Sequence, residues 1–190
     1  MGDDTTRSDL VLFVYEGNVC RSPAAQLLLM AHLGVDAPVR AGSAGLRALV
    51  GHPVARMTAR SLQGRGLTVD DFAYRQLTGR LLQDASLVVT MTASQRGRDV
   101  VMMPPVLRRT WTLLGLAAAL SSSPSLGPHE RTPPVGGMAG VLRRAAAGHL
   151  RGDHDIPDPW GRGRWAHRRT VRLIEPAVAV LARALMVAPL

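Results

Sequence analysis

The chain contains no lysine: every one of its 23 Lys+Arg positions is arginine. Schiff-base chemistry and a tuned amine base are therefore excluded. There is one cysteine, Cys20, which rules out an intrachain disulfide, a CxxC redox pair and a multi-cysteine metal site, and fits a reducing compartment. Aromatic residues make up only 4% of the chain, too few for a base-stacking platform, and with no recognised nucleic-acid motif such a partner is unlikely. The N-terminal apolar run, Leu10 to Val14, is far too short for a signal-peptide core or a membrane span. The six histidines show no metal-binding spacing, so neither a metal nor another cofactor is expected; His52, His129, His149, His154 and His167 read as exposed, and His32 as an ordinary helix position. Together these absences describe a cytoplasmic protein without a membrane partner.

What is present is a positive surplus. The formal net charge is +9, and guanidinium groups suit phosphate and carboxylate because their planar fork donates paired hydrogen bonds. Anionic partners follow, although a GC-rich genome writing its solvated basic residues as arginine accounts for most of the same surplus. At 190 residues and 46% hydrophobic content the chain matches one globular domain, with Met1 to Ser8 expected to be disordered.

Leu10 to Val14 is continuously apolar and rich in β-branched and aromatic residues, as in a strand buried on both faces. Ala24, Leu27, Leu28 and Ala31 then recur at helical spacing. Ser22 is the expected N-cap, Pro23 the first helical residue and Gly34 the stop. Val39 to Ser43 reads as a second strand, Pro53 to Gln63 as a helix with Val54, Met57, Ser61 and Leu62 inward, and Leu87 to Met91 as a third strand. Arg109 to Leu114 reads equally as a strand or a helix start. Val171, Ile174, Val178, Leu181 and Leu185 mark a C-terminal helix that Pro176 is expected to kink or locally loosen. Ser121 to Gly140 is rich in Pro, Gly and Ser and reads as a long mobile loop, either a lid or a tolerated insertion. Alternating elements predict a three-layer α/β fold with a parallel sheet of about four strands and helices on both faces.

The segment Tyr15-Glu-Gly-Asn-Val-Cys-Arg-Ser22 joins a buried strand to a helix N-terminus, where backbone N–H groups converge on the positive end of the helix dipole. Gly17 permits close approach, Asn18 suits a left-handed conformation, and Arg21 offers a bidentate clamp. Ser22 caps the helix or bonds a group of the loop. By chemistry this is an oxyanion cradle, with Glu16, Gly17, Asn18, Val19, Cys20, Arg21 and Ser22 as its ligand-binding residues.

The segment resembles the signature of low-molecular-weight protein tyrosine phosphatases, in which a cysteine, five residues, Arg and Ser follow the first strand. Ala41-Gly-Ser-Ala-Gly45, Val88-Val-Thr-Met-Thr92 and Asp155-Ile-Pro-Asp-Pro159 extend the resemblance along nearly the whole chain. The resemblance implies that the first position of the loop holds a nucleophile that becomes phosphorylated, and here that position is Tyr15. It implies Asp158 as the general acid, Arg21 and the loop amides as phosphoryl ligands, Asn18 and Ser22 as loop supports, and Trp160 as the aromatic wall of the entrance. Many such proteins carry a second cysteine where Cys20 stands, able to pair with the first; Tyr15 removes that pairing, and Cys20 reads as a small residue lining the loop. The lone cysteine also argues against the related arsenate reductases. Asp158 alternatively makes a turn with Pro159, a task Asp155 is able to share.

A phenol titrates near 10, a thiol near 8.5 or lower at a helix N-terminus, and a ring directed inward takes the phosphate's place. The expectation is a phosphatase fold without cysteine-dependent hydrolysis: a pseudophosphatase that binds a phosphorylated or anionic ligand or a protein partner. The alternatives are a repurposed isomerase, dehydratase or cyclase acting on a small molecule, with Tyr15 and Asp158 as acid and base in a bacterial biosynthetic setting, and a weak phosphatase.

Overall fold

The computed structural model describes residues 9–48, 53–70, 72, 75–122, 137–147 and 154–186. Four strands, β1 (Asp9–Tyr15), β2 (Val39–Gly45), β3 (Leu87–Thr90) and β4 (Thr110–Thr112), form one parallel sheet in the order β2-β1-β3-β4. Helices α1 (Arg21–Leu33), α2 (Arg56–Gln63), α3 (Gly79–Asp84), α4 (Ala93–Met102), α5 (Leu113–Ser122), α6 (Gly137–Ala147) and α7 (Arg164–Met186) flank it, with a 3-10 helix at Pro104–Arg109. The α/β architecture expected from the alternating pattern is the one observed.

β1 organises both layers because successive side chains of a strand point to opposite faces. Val11, Phe13 and Tyr15 enter the larger core with α1, α5, α6 and α7, whereas Leu12 and Val14 enter a smaller one with Leu82, Val88 and Val106. α7 closes the larger core through Val171, Ile174, Val178, Leu181 and Leu185, the stripe read from the sequence. The helix continues from Arg164 to Met186 through Pro176, whose missing N–H removes one helical hydrogen bond.

Several local expectations change. α1 begins one residue before Ser22, its N-cap position is Cys20, and no side chain caps it; the Ser22 hydroxyl donates instead to Asn18 Oδ1 at 2.8 Å. The buried stripe of α1 is Ala24, Ala25, Leu28 and Leu29, with Leu27 half-buried and Ala31 exposed, because the helix is covered along the groove between β2 and α7. Gly34 ends it with φ 80° as expected. α2 starts at Arg56, so Val54 is buried ahead of the helix, and Thr58 replaces the half-buried Met57 on its inner face. Arg109 to Leu114 is both things in turn, a three-residue strand followed by α5. The expected loop from Ser121 to Gly140 is helical at both ends; residues 123–136 lie outside the described residues, as does the expected disorder of 1–8. α3 and α4 are capped by Thr78 and Thr92, whose hydroxyls accept from the N–H groups of Leu81 and Gln95, both at 3.2 Å.

Asp99 of α4 is fully buried, and neither of its carboxylate oxygens accepts a hydrogen bond from a described residue. Burial pushes its pKa from 3.8 up to about 7, against the attraction of Arg98. Between these two values the native state holds a proton that the unfolded chain has released, so this group lowers stability as pH rises by about 1.4 kcal/mol per unit. Above about 7 both states are ionised and the penalty is constant. Asp99→Asn should therefore stabilise the protein increasingly from about pH 4 to 7 and level off beyond, by denaturant unfolding across that range; a pH-independent difference would contradict the assignment.

Candidate active site

In doubly wound sheets, ligands bind beyond the carboxyl ends of the strands, where the chain order reverses, and here that point lies between β1 and β3. The Tyr15–Ser22 segment begins there. β2 supports it: Leu46 N–H donates to the Tyr15 carbonyl at 2.9 Å, and Arg47 N–H to the Glu16 carbonyl at 2.7 Å. Gly45 is required for this approach, since a Cβ on it would sit 2.9 Å from the Glu16 carbonyl oxygen and 3.0 Å from Ala48 Cα. Asn18 adopts φ 54°, the left-handed conformation expected of it. Gly17 has no positive φ, and a Cβ there would meet only Val19 Cγ2 at 3.7 Å.

Tyr15 is only 3% exposed. Its ring lies beneath the Arg21 guanidinium, whose Cζ is 4.0 Å from the ring centroid, a distance at which the cation is attracted to the π face. Its hydroxyl donates to Asp158 Oδ2. Arg21 donates through Nη1 to the Ile156 carbonyl, and its Nη2 lies 3.4 Å from the same Asp158 oxygen. Tyr15, Arg21 and Asp158 are thus drawn together from the two ends of the chain. Burial, then the Asp158 hydrogen bond, raise the Tyr15 pKa far above that of a free phenol, outweighing the pull of Arg21.

The Asp158 segment is held from three sides. Ile156 N–H donates to the Met91 carbonyl at 2.8 Å, Ala93 N–H to Asp155 Oδ1 at 2.7 Å, and the Thr170 hydroxyl to the Pro157 carbonyl at 3.3 Å. The two oxygens of Asp158 face different partners. One oxygen accepts from Trp160 N–H at 3.1 Å and shapes the turn, while the other faces Tyr15 and Arg21. Its side chain is 43% exposed, and Trp160, two residues on, is 54% exposed. Glu16 is turned away from the cradle towards Arg98 at 2.7 Å and Arg47 at 3.8 Å.

Cys20 is buried, and Val19 and Ser22 with it. Burial chiefly, with the negative charge of Asp158, pushes the Cys20 pKa up to about 11 despite the Thr58 hydroxyl and Arg21. Behind it, Thr58 Oγ1 and His167 Nδ1 share a hydrogen bond of 2.8 Å. His167 was expected at the surface and is only 4% exposed; it lies one residue from exposed Arg168 on α7, and helical spacing turns it inward against α2. Desolvation lowers its pKa, opposed by the carbonyls of Arg162 and Pro159 and by Asp158. A polar backing of Thr58 and His167 had no signal in the sequence, because it depends on where α2 meets α7.

The loop holds more donors than acceptors. Among the described residues, the N–H groups of Gly17, Asn18, Val19 and Cys20 find no protein acceptor, and Asn18 Nδ2 and Arg21 Nε are buried without one. Buried donors ordinarily find partners, so the excess marks this loop as a place for an acceptor-rich group. Among the described residues there is no cluster of three or more His, Cys, Asp or Glu able to hold a metal ion.

The sequence profile of the low molecular weight phosphotyrosine protein phosphatase family matches residues 10–110, and the chain belongs to that family. A probable low molecular weight protein-tyrosine-phosphatase, EpsP of Ralstonia nicotianae, is 36% identical over 86 residues, 45% of this chain and 57% of the relative. The match thus spans little more than half of that relative's length. Wzb of Salmonella typhi, also a low molecular weight protein-tyrosine-phosphatase, is 27% identical over 175 residues, 92% of this chain and 93% of the relative. Among solved structures, the YwlE arginine phosphatase of Geobacillus stearothermophilus superposes with a TM-score of 0.70 at 23% identity, covering 92% of this chain and 91% of that one. Among the described residues no helix is long and apolar enough to cross a membrane.

The buried thiol gives a direct check on the loop. With its pKa pushed up to about 11, Cys20 is almost entirely a thiol at neutral pH, and at 1% exposure it is closed to reagents. Iodoacetamide at pH 7.5 should label Cys20 at least ~100-fold more slowly in the native protein than in denaturant; similar rates would show that the loop does not enclose the thiol.

Proposed function

We propose that this chain is a phosphatase-fold protein without cysteine-dependent hydrolysis, binding a phosphorylated or otherwise anionic ligand, free or carried by a protein, on the Gly17–Ser22 loop. The observation that carries this reading is the excess of donors there: the free amides, Asn18 Nδ2 and Arg21 Nε offer what phosphoryl oxygens accept. The names of the relatives, all phosphatases, are consistent with a phosphorylated ligand class.

Three features argue against turnover of the usual kind. Tyr15, where the family resemblance puts the nucleophile, is a fully protonated phenol packed under Arg21 and bonded to Asp158. It occupies the space between clamp and acid, so no nucleophile stands behind a bound phosphorus atom. Cys20 is no substitute, since burial keeps it a thiol. Ligand entry requires the phenol to give way, which breaks its bond to Asp158. A second reading, an enzyme with different chemistry, is favoured by one contact: the Tyr15 hydroxyl on the Asp158 carboxylate is a ready proton donor and acceptor pair.

Aryl-phosphate hydrolysis by the native protein and by Tyr15→Cys, with phosphate protection against thermal unfolding, separates the readings. The native protein should show no measurable hydrolysis, Tyr15→Cys should gain it, and phosphate should raise Tm in both, the shift being lost in Arg21→Ala. Hydrolysis by the native protein that disappears in Asp158→Ala would overturn the non-catalytic reading. Absence of protection in both proteins would overturn phosphate binding and leave the acid and base pair.

A further inference from the structure

Between α2 and α7 lies a half-open pocket of about 280 Å³ lined by Met57, Arg60, Ser61, Gly64, Arg65, Arg164 and Arg168, in which Arg60, Arg164 and Arg168 are exposed. None of the loop residues 15–22 and neither Asp158 nor Trp160 lines it. Four of its walls are guanidinium groups. Arg65 alone is neutralised: Nε and Nη2 donate to Glu175 Oε2 at 3.0 and 2.9 Å, and Nη1 donates to the Ser61 carbonyl at 2.8 Å. Arg60, Arg164 and Arg168 have no acidic partner among the described residues, so four cations face one carboxylate.

The placement is unfavourable for the protein alone. Arg164 and Arg168 are one turn apart on one face, where like charges destabilise a helix. Arg164 is also the first residue of α7, at the positive end of the helix dipole, and no acidic residue lies in that first turn to offset it. Local choices that conflict with helix stability on this scale concentrate at functional sites. A bound anion would reverse the sign of each conflict.

We propose that the α2–α7 cavity is a second anion site, and that its ligand is a compact soluble oligophosphate. The volume, at the lower limit for small-molecule pockets, suits a condensed phosphate group rather than an extended chain. Three free forks around one cavity match several phosphoryl groups better than one. Arg65, fixed by Glu175 and Ser61, supplies a preorganised wall. This site stands independently of the loop's role.

Calorimetric titration of the whole chain with inorganic tripolyphosphate at constant ionic strength tests the proposal. One ion should bind in the pocket at least tenfold more tightly than inorganic phosphate binds to the same protein, any binding on the loop being a separate, weaker event. The triple variant Arg60→Gln, Arg164→Gln, Arg168→Gln should weaken binding at least ~30-fold. A control of equal charge change, Arg108→Gln, Arg143→Gln, Arg183→Gln, should weaken it less than threefold, and Arg21→Ala should leave it unchanged. Equal losses in both triple variants would show that net charge alone attracts the ion, and loss in Arg21→Ala with retention in the pocket variant would put the ion on the loop; either overturns the site. Tighter binding of a single-stranded oligonucleotide than of tripolyphosphate, lost in the same pocket variant, would overturn the compact-ligand assignment. Arg168→Gln alone, expected to cost at least fivefold, keeps the test decisive if the triple variant fails to fold.

Discussion

The burial of β1 on both faces and both edges is the constraint on which the rest depends. Hydrogen-bonded to β2 along one side and to β3 along the other, its strand leaves its side chains no direction except into one core or the other. Its last residue inherits that parity. Tyr15 belongs to the face of Val11 and Phe13, and so a residue at the start of the phosphate-type loop is pulled into apolar packing and desolvated. The phenol's protonation, its place under Arg21 and its bond to Asp158 follow from one alternation of two residues.

The loop trades two needs against each other. A strand-to-helix turn must leave its N–H groups free to be an anion site, yet unpaired buried donors are costly. The fold limits that cost by tying the loop's carbonyls to Leu46, Arg47 and Ala55, and its side chains to each other through Asn18 and Ser22. Donors are left over while acceptors are used, which is the polarity an anion requires. Arg21 is held among the same groups by Ile156 and Asp158, so that opening the site exchanges internal contacts for external ones.

α7 links the parts that are distant in sequence. Its inner stripe completes the larger core, Thr170 and His167 steady the Asp158 turn and the back of the loop, and its first turn lines the arginine cavity with α2. One helix thereby touches both the surroundings of the donor-rich loop and the arginine-lined pocket.

The alternating apolar segments and the strand, loop, helix junction were legible in the sequence because local periodicity and backbone requirements decide them. β1, the left-handed Asn18, the Gly34 stop and the α7 stripe belong to this group. Thr78 and Thr92 are local cap signals for α3 and α4, but these helices are short or polar and carry no apolar periodicity to go with them. The burial of His167, the inward face of α2 and the absence of a Ser22 cap depend on which elements meet, and no local pattern encodes that. The sequence alone determined which residues enter the loop and that its first position is a phenol; tertiary packing decided that this phenol lies buried between Arg21 and Asp158, because only the folded sheet brings residue 15 against residue 158.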